Sequence, residues 1–282
     1  MVAFLHTSPA PHKLLSLTSS SSFPLSFLYH ARFLTFLFNP TAVDTRALQA
    51  TLTPPTASPL LSLTSTSALA DALELLGYGT IYHMREVNKN GHQKPWINAL
   101  EAKYAGRGKV FGKEEWDDLL GNFAGTSDIP SAFFAKEFIA VYPDTYVIHT
   151  TRPFTSWSAS MRRTLWAAQQ NRLAPNANGT SIATDERLLR DVYWEMYWKN
   201  DFDATGEKRW QEHEAALEKL RQERELDPLT RGKWLQLELG KEGAWDELCK
   251  LLGKEVPKGH DGEVLEWPNH DDARPVVAGG GK

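Results

Sequence analysis

The chain has a single cysteine in 282 residues, which excludes an internal disulfide framework and suits a reducing compartment. No Asp or Glu occurs before Asp44, and Ser, Thr, Pro, Leu and Phe dominate that first stretch. Its most apolar run, Ser22–Phe38, is interrupted by a proline, a histidine and an arginine, and it falls short of the about 20 residues that a membrane-spanning helix needs. We therefore expect a cytoplasmic protein that does not depend on a membrane.

An excess of basic charge is also missing. The net charge is -4 at pH 7, which gives no basic surface for nucleic acid. The chain has no Walker lysine motif, and the glycines of Gly106–Gly112 do not fit the dinucleotide-binding pattern. Cys249 has no metal-ligand pattern around it, so no metal site is expected.

Composition divides the chain into three parts. Residues 1–58 form a low-complexity leader, which is either disordered or the product of a wrongly drawn gene start. Residues 59–268 have the composition of a globular domain. Residues 269–282 end in Gly-Gly-Gly-Lys, and we expect a disordered tail there.

Strand patterns alternate with helix patterns through the globular part. Apolar or β-branched runs predict strands at Thr80–Met84, Thr145–Thr151 and Lys233–Leu239. The helices predicted between Ser131 and Arg224 cover Ser131–Pro143, Thr155–Gln170, Thr184–Phe202 and Gly206–Arg224. This alternation favours an α/β fold with a parallel sheet covered by helices on both faces. Ligands of such sheets bind at the carboxyl ends of the strands.

Arg152 ends the predicted strand Thr145–Thr151 and therefore falls where a ligand would bind. A helix follows it and carries Ser160, so a guanidinium, helix amides and a hydroxyl are available for an anion. The alternative is a structural role, in which Arg152 pairs with a carboxylate and Ser160 lies on a helix surface. Spacing alone leaves both interpretations open.

The segment YPDTYVIHTTRPFTSWSASMRRT, residues 142–164, resembles the 3′-phosphate-binding segment of sulfotransferases. Ala68–Val87, Thr126–Phe138 and Gly240–Pro257 resemble, in the same order, further segments of one branch of that superfamily. This branch comprises the sulfotransferase-like P-loop proteins common in fungi. The resemblance covers nearly all of Ala68–Pro257.

The resemblance implies a three-layer, P-loop-NTPase-like fold. It also implies that 3′-phosphoadenosine 5′-phosphosulfate is the donor co-substrate and that a hydroxyl or amine of a small molecule is the acceptor. By resemblance, Arg152 and Ser160 hold the 3′-phosphate of the donor. Trp157 either supports this segment or packs in the core.

The chain departs from the family at the loop that holds the 5′-phosphosulfate, which normally reads Gly-x-x-Arg-Thr-Gly-Thr-x-Ser. Thr64 and Thr66 match the two threonines, but Ser65 replaces a glycine and Leu63 replaces the basic residue. Thr64, Ser65 and Thr66 remain the candidates for donor binding at this loop. Leu63 cannot neutralise charge at the transition state, so we expect little activity.

Three explanations of this loop stay open. The gene model is wrong, the protein is a non-catalytic nucleotide-binding or interaction protein of the same fold, or it is active with an altered loop.

Asp128 and His83 are the candidates for the general base. Asp128 matches the acidic position of the branch's Asp-x-Pro motif, and a carboxylate at a strand end can accept a proton from the acceptor. Its alternative role is to cap the helix that begins near Ser131. His83 ends a predicted strand on the same edge of the sheet, where it is either structural or in contact with acceptor or phosphate.

Overall fold

The computed structural model describes residues 35–38, 66–173, 185–238 and 242–268. Within these ranges one sheet has the strand order β2-β3-β1-β4-β5. Its strands are β1 (Thr35–Phe38), β2 (Ile81–Tyr82), β3 (Gly125–Thr126), β4 (Tyr146–Thr151) and β5 (Trp234–Glu238). β2 pairs with β3 and β4 pairs with β5 in parallel, whereas β1 runs antiparallel to both of its neighbours. β2, β3, β4 and β5 therefore point the same way, and their carboxyl ends share one edge.

The antiparallel β1 makes the sheet mixed, whereas the sequence predicted a parallel sheet. Thr35–Phe38 lies inside the predicted leader and pairs with Val147 and Ile148 of β4 and with Thr126 of β3. The backbone groups of β3 and β4 that face each other need hydrogen-bond partners, and a Thr-Phe-Leu-Phe segment has high strand propensity. The other residues of 1–58 lie outside the described ranges, and the three domain limits stay predictions.

Helices connect the strands. The α-helices are α1 (Thr66–Leu75), α2 (Met84–Lys89), α3 (Gln93–Ala105), α4 (Lys113–Leu120), α5 (Ala135–Val141), α6 (Phe154–Met161), α7 (Ala167–Leu173), α8 (Asp185–Trp198), α9 (Phe202–Leu226) and α10 (Ala244–Leu252). A 3₁₀ turn, Ser131–Phe134, leads into α5, and a π-helical turn, Arg162–Trp166, joins α6 to α7. None of the helices in the described ranges is both long and apolar enough to cross a membrane.

Two predicted boundaries are wrong. The strand predicted at Thr80–Met84 is only Ile81–Tyr82, because the ring of His83 accepts a hydrogen bond from the Arg85 amide and caps α2. Phe202 begins α9 and does not end α8, because the Asp201 side chain accepts from the Ala204 amide at 3.0 Å. Both corrections come from side-chain caps that stop one element and start another.

Apolar side chains pack on both faces of the sheet. Val147 belongs to one buried cluster and Ile148, its neighbour in β4, to the other. The larger cluster is rich in aromatic residues from α3, α4, α8 and α9, and it includes Trp96, Trp116, Trp194, Trp198 and Phe202. The smaller one lies between the sheet and helices α1 and α10. A mixed α/β fold is confirmed, while the three-layer, P-loop-NTPase-like arrangement stays a prediction.

Candidate active site

Three candidate residues lie just beyond the carboxyl ends of strands. His83 directly follows β2, Asp128 lies two residues after β3, and Arg152 directly follows β4. They lie at the same edge of the sheet because these strands point the same way. The β2 and β3 ends are tied together by Ser127, whose amide donates to the Tyr82 carbonyl at 2.8 Å. Two of the sequence-predicted residues, His83 and Asp128, are thereby brought into contact.

The imidazole of His83 is the centre of this contact. It is 8% exposed, and its Nε2 lies 3.0 Å from Oγ1 of Thr66, 3.3 Å from Oγ of Ser67 and 3.3 Å from Oδ2 of Asp128. Because Nδ1 accepts from the Arg85 amide, the neutral ring carries its proton on Nε2. The Asp128 carboxylate is the strongest of the three acceptors for that proton.

Asp128 holds its carboxylate towards His83 through an unusual backbone conformation. Its φ is 63°, in the left-handed region where non-glycine residues cost about 1–3 kcal/mol and where Asp is among the better tolerated. Its backbone carbonyl accepts from the Ala132 amide at 2.8 Å, and no side chain caps the 3₁₀ turn that begins at Ser131. The helix-capping role considered for the Asp128 side chain is therefore wrong.

Helix α1 carries the two hydroxyls and is fixed to both β2 and α2. The Arg85 guanidinium donates to Asp71 at 2.7 Å, and the Glu74 carboxylate accepts from the Ile81 amide at 3.1 Å. Burial would lower the pKa of Arg85, but the hydrogen bond and charge of Asp71, together with the charges of Glu74 and Glu86, outweigh it and raise that pKa. The ion pair holds the first turn of α1, with Thr66 and Ser67, against His83.

Tyr82, the last residue of β2, precedes His83 and is buried in the aromatic cluster. Its hydroxyl accepts from the Trp96 indole at 2.8 Å and lies 3.2 Å from Nδ1 of His92. Burial raises the pKa of Tyr82, so the phenol stays neutral. Tyr82 is therefore part of the core and not an acid or base.

Arg152 and Ser160 are placed by β4 and α6. Arg152 is half-buried directly after β4, and Pro153, with φ -57°, sets the start of α6. Ser160 is half-buried in the last turn of α6, roughly 9 Å along the helix axis from its first residue at 1.5 Å per residue. No hydrogen bond joins these two side chains in the described part of the chain.

Trp157 packs in the core. It is 4% exposed, and its ring lies 5.8 Å from that of Phe154 and 5.6 Å from that of Phe202. The core role considered for Trp157 is confirmed. Thr64 and Ser65, together with Leu63, lie outside the described residues, so of the loop candidates only Thr66 has a described position.

Two comparisons decide the family. The sequence model of the family described as the sulfotransferase domain matches residues 61–275, which is more than half of the chain. The chain belongs to the sulfotransferase family.

It is also similar to the Ava biosynthesis cluster protein M of Aspergillus versicolor. The two are 30% identical over 212 residues, which cover 70% of this chain and 75% of the relative. The family expected from the resemblance of four segments is thereby confirmed.

A cavity next to the contact of His83 with Asp128 was not predicted from the sequence. A cavity of about 70 Å³ opens beside Asp128, and it is lined by Met84, Asp128, Ile129, Leu165, Arg190 and Tyr193. Arg190 precedes Tyr193 by three residues in α8, so both fall on the helix face that meets the core. The sequence signal that could have indicated Arg190 is a cation on the aromatic face of a helix.

A larger cavity, of about 450 Å³, lies elsewhere. Its lining comes from α4 and α5, from the segments that follow them and from β3, and it includes Thr145, at the amino end of β4. Neither His83 nor Asp128 lines it, so size alone does not identify the site of chemistry.

Proposed function

We propose that the chain transfers a sulfuryl group from 3′-phosphoadenosine 5′-phosphosulfate to a small-molecule acceptor, at a low rate. The observation that carries this proposal is the cluster of Asp128, His83, Thr66 and Ser67 at the first turn of α1. Hydroxyls and helix amides suit an anionic donor, and a carboxylate beside them suits an acceptor proton.

Donor binding is assigned to two places on the carboxyl edge. Thr66, with Thr64 and Ser65 of the preceding loop, would bind the 5′-phosphosulfate. Arg152 and Ser160 would bind the 3′-phosphate, because a guanidinium offers two parallel donors to a phosphate and a hydroxyl offers a third. The three-layer, P-loop-NTPase-like fold belongs to this proposal.

The chemical step is an in-line displacement at sulfur. The acceptor oxygen forms a bond to sulfur while the bond from sulfur to the bridging phosphate oxygen breaks, and adenosine 3′,5′-bisphosphate leaves with that electron pair. The acceptor proton passes to the Asp128 carboxylate. His83 keeps this carboxylate in position through its Nε2 proton, since the two groups are 3.3 Å apart.

The low rate follows from Leu63. A cation at this place would balance charge on the departing phosphate, and loss of one such contact typically costs about 10²–10³ in rate. Leu63→Arg is therefore expected to raise transfer, whereas a substitution in the leader is not.

The test uses the full chain in two measurements. Calorimetry compares the binding of adenosine 3′,5′-bisphosphate with that of adenosine 5′-monophosphate, and the first is expected to bind more tightly. A transfer assay then offers alcohols, phenols and amines with the donor, for the wild type and for Leu63→Arg.

The outcomes separate the alternatives. Preferred binding of the bisphosphate without transfer by either protein would overturn catalysis and favour a non-catalytic nucleotide-binding module. Fast transfer by the wild type would overturn the assignment of the low rate to Leu63. Equal binding of both nucleotides would overturn the role of Arg152.

A further inference from the structure

The cavity beside Asp128 has mostly apolar walls. Ile129 is 7% and Tyr193 1% exposed, and Met84 and Leu165 are half-buried. Its volume of about 70 Å³ is several times the about 10–15 Å³ of cavity space that holds one water molecule. It therefore fits a small carbon fragment close to the carboxylate.

Two charged groups line this cavity. Asp128 directs its carboxylate to His83, whereas Arg190 lines the cavity from α8. Arg190 is half-buried, and among the described residues no carboxylate lies within ion-pairing distance of it. A guanidinium partly removed from water, with no ion pair to a carboxylate of the described residues, is stabilised by an anion that enters the cavity.

The position of Asp128 limits what that anion can be. An anionic group next to Asp128 would be repelled, so the anion must lie at Arg190 and a hydrogen-bond donor at Asp128. The small volume keeps these two ends a short carbon chain apart. A protonated amine at the reacting end would be repelled by the positive charge of Arg190 across the same small cavity.

We propose that the acceptor is a small aliphatic hydroxy acid, whose hydroxyl faces Asp128 and whose carboxylate binds Arg190. The inference rests on the proposed function, since it names the substrate class of the same site. Arg190 is then a specificity-determining residue that binds the acceptor and takes no part in proton transfer. A hydroxyl acceptor is preferred to an amine because a hydroxyl carries no positive charge that Arg190 would repel.

The experiment compares matched acceptors. Hydroxy acids of three to five carbons, their methyl esters and the corresponding amino alcohols are offered with the donor, and kcat/KM is measured from bisphosphate release. The wild type is expected to prefer each acid over its ester by about ten- to a hundredfold, the value of a hydrogen bond between charged groups. Arg190→Gln is expected to remove this preference and Arg190→Lys to keep part of it.

Arg163→Gln is the matched control. Arg163 is exposed in the π-helical turn and does not line the cavity, so its loss removes the same charge at another place. The preference for the acid should stay unchanged in this variant. If Arg163→Gln lowers it as much as Arg190→Gln, general electrostatic attraction explains it and the inference is wrong.

A binding measurement separates this inference from the proposed function. The chain is saturated with adenosine 3′,5′-bisphosphate, and a hydroxy acid or its ester is titrated by NMR. Binding of the acid alone, without transfer to any acceptor, supports the anion site at Arg190 and overturns sulfuryl transfer. Transfer with equal use and equal binding of acid and ester supports the proposed function and overturns the role of Arg190, even if Arg190→Gln fails to fold.

Discussion

At the β2–β3 half of the carboxyl edge, His83 contacts Thr66, Ser67 and Asp128, whereas at the β4 half no hydrogen bond joins Arg152 to Ser160. The first group comes from three segments that are far apart in the chain. The second comes from one short strand–helix segment. Both halves carry residues of the kinds that bind phosphate or accept a proton.

The difference concerns when the contacts of each half form. Contacts among His83, Asp128 and the α1 hydroxyls form on folding, so their geometry is in place before a ligand arrives. Arg152 and Ser160 share no hydrogen bond, and a bound phosphate would bridge them, so the contacts of this half with a nucleotide form on binding. We therefore expect the β2–β3 half to govern the rate and the β4 half to govern nucleotide affinity.

The largest effect is expected for Asp128→Asn on transfer. The amide cannot take the acceptor proton, and loss of a general base typically costs about 10²–10⁴ in rate. Asn tolerates the left-handed conformation at this position, so the fold should be kept. The measurement is kcat at saturating donor, with bisphosphate binding measured in parallel.

The control is Asp118→Asn, which removes an exposed carboxylate of α4. It should leave kcat unchanged. If Asp128→Asn weakens bisphosphate binding and leaves kcat as it is, the division of roles between the two halves is reversed.

A smaller effect, on affinity, is expected for Arg152→Ala. A lost hydrogen bond to a charged group is worth about 1.5–3 kcal/mol, or about ten- to more than a hundredfold in Kd. The loss should appear for adenosine 3′,5′-bisphosphate and not for adenosine 5′-monophosphate, by calorimetry. Arg152→Lys should recover part of it because an ammonium lacks the paired donors of the guanidinium.

Ser160→Ala is measured beside Arg152→Ala for its effect on the affinity for adenosine 3′,5′-bisphosphate. A neutral hydroxyl is the weaker partner of a phosphate, so the loss of affinity should be smaller. An equal loss for both nucleotides in the Arg152 variant would mean that Arg152 is structural.

The smallest effect is expected in the coupling between residues of the free protein. In a double-mutant cycle, His83→Ala and Asp128→Ala should be non-additive in unfolding free energy by about 0.5–3 kcal/mol, because the two side chains are 3.3 Å apart. Arg152→Ala and Ser160→Ala should add within about 0.5 kcal/mol. Urea unfolding of the four proteins of each cycle measures both values.

Saturation with bisphosphate sharpens this test. The ligand should introduce coupling between Arg152 and Ser160 and leave the coupling between His83 and Asp128 as it was. Coupling of equal size in both pairs before ligand is added would contradict the comparison of the two halves.

The local pattern was sufficient for much of the fold. The strand β4, the arginine at its end and the helix that follows were predicted from the sequence between Thr145 and Gln170. Helix caps were less predictable, since His83 stops β2 through a ring nitrogen and shortens the predicted strand. The position of β1 could not be predicted, because strand pairing over a long chain separation depends on which edges are left unpaired.

For the candidate site, too, the sequence predicted some features and the folded structure supplied others. Sequence by itself determined the residue types at the strand ends, among them His83, Asp128 and Arg152, because strand and helix patterns depend on neighbouring residues. The tertiary structure alone decided that Asp128 contacts His83 and that Arg190 lines the cavity beside it. Charges and hydrogen bonds act over a few ångströms in space, and only the folded chain brings α1, β2, β3 and α8 within that distance.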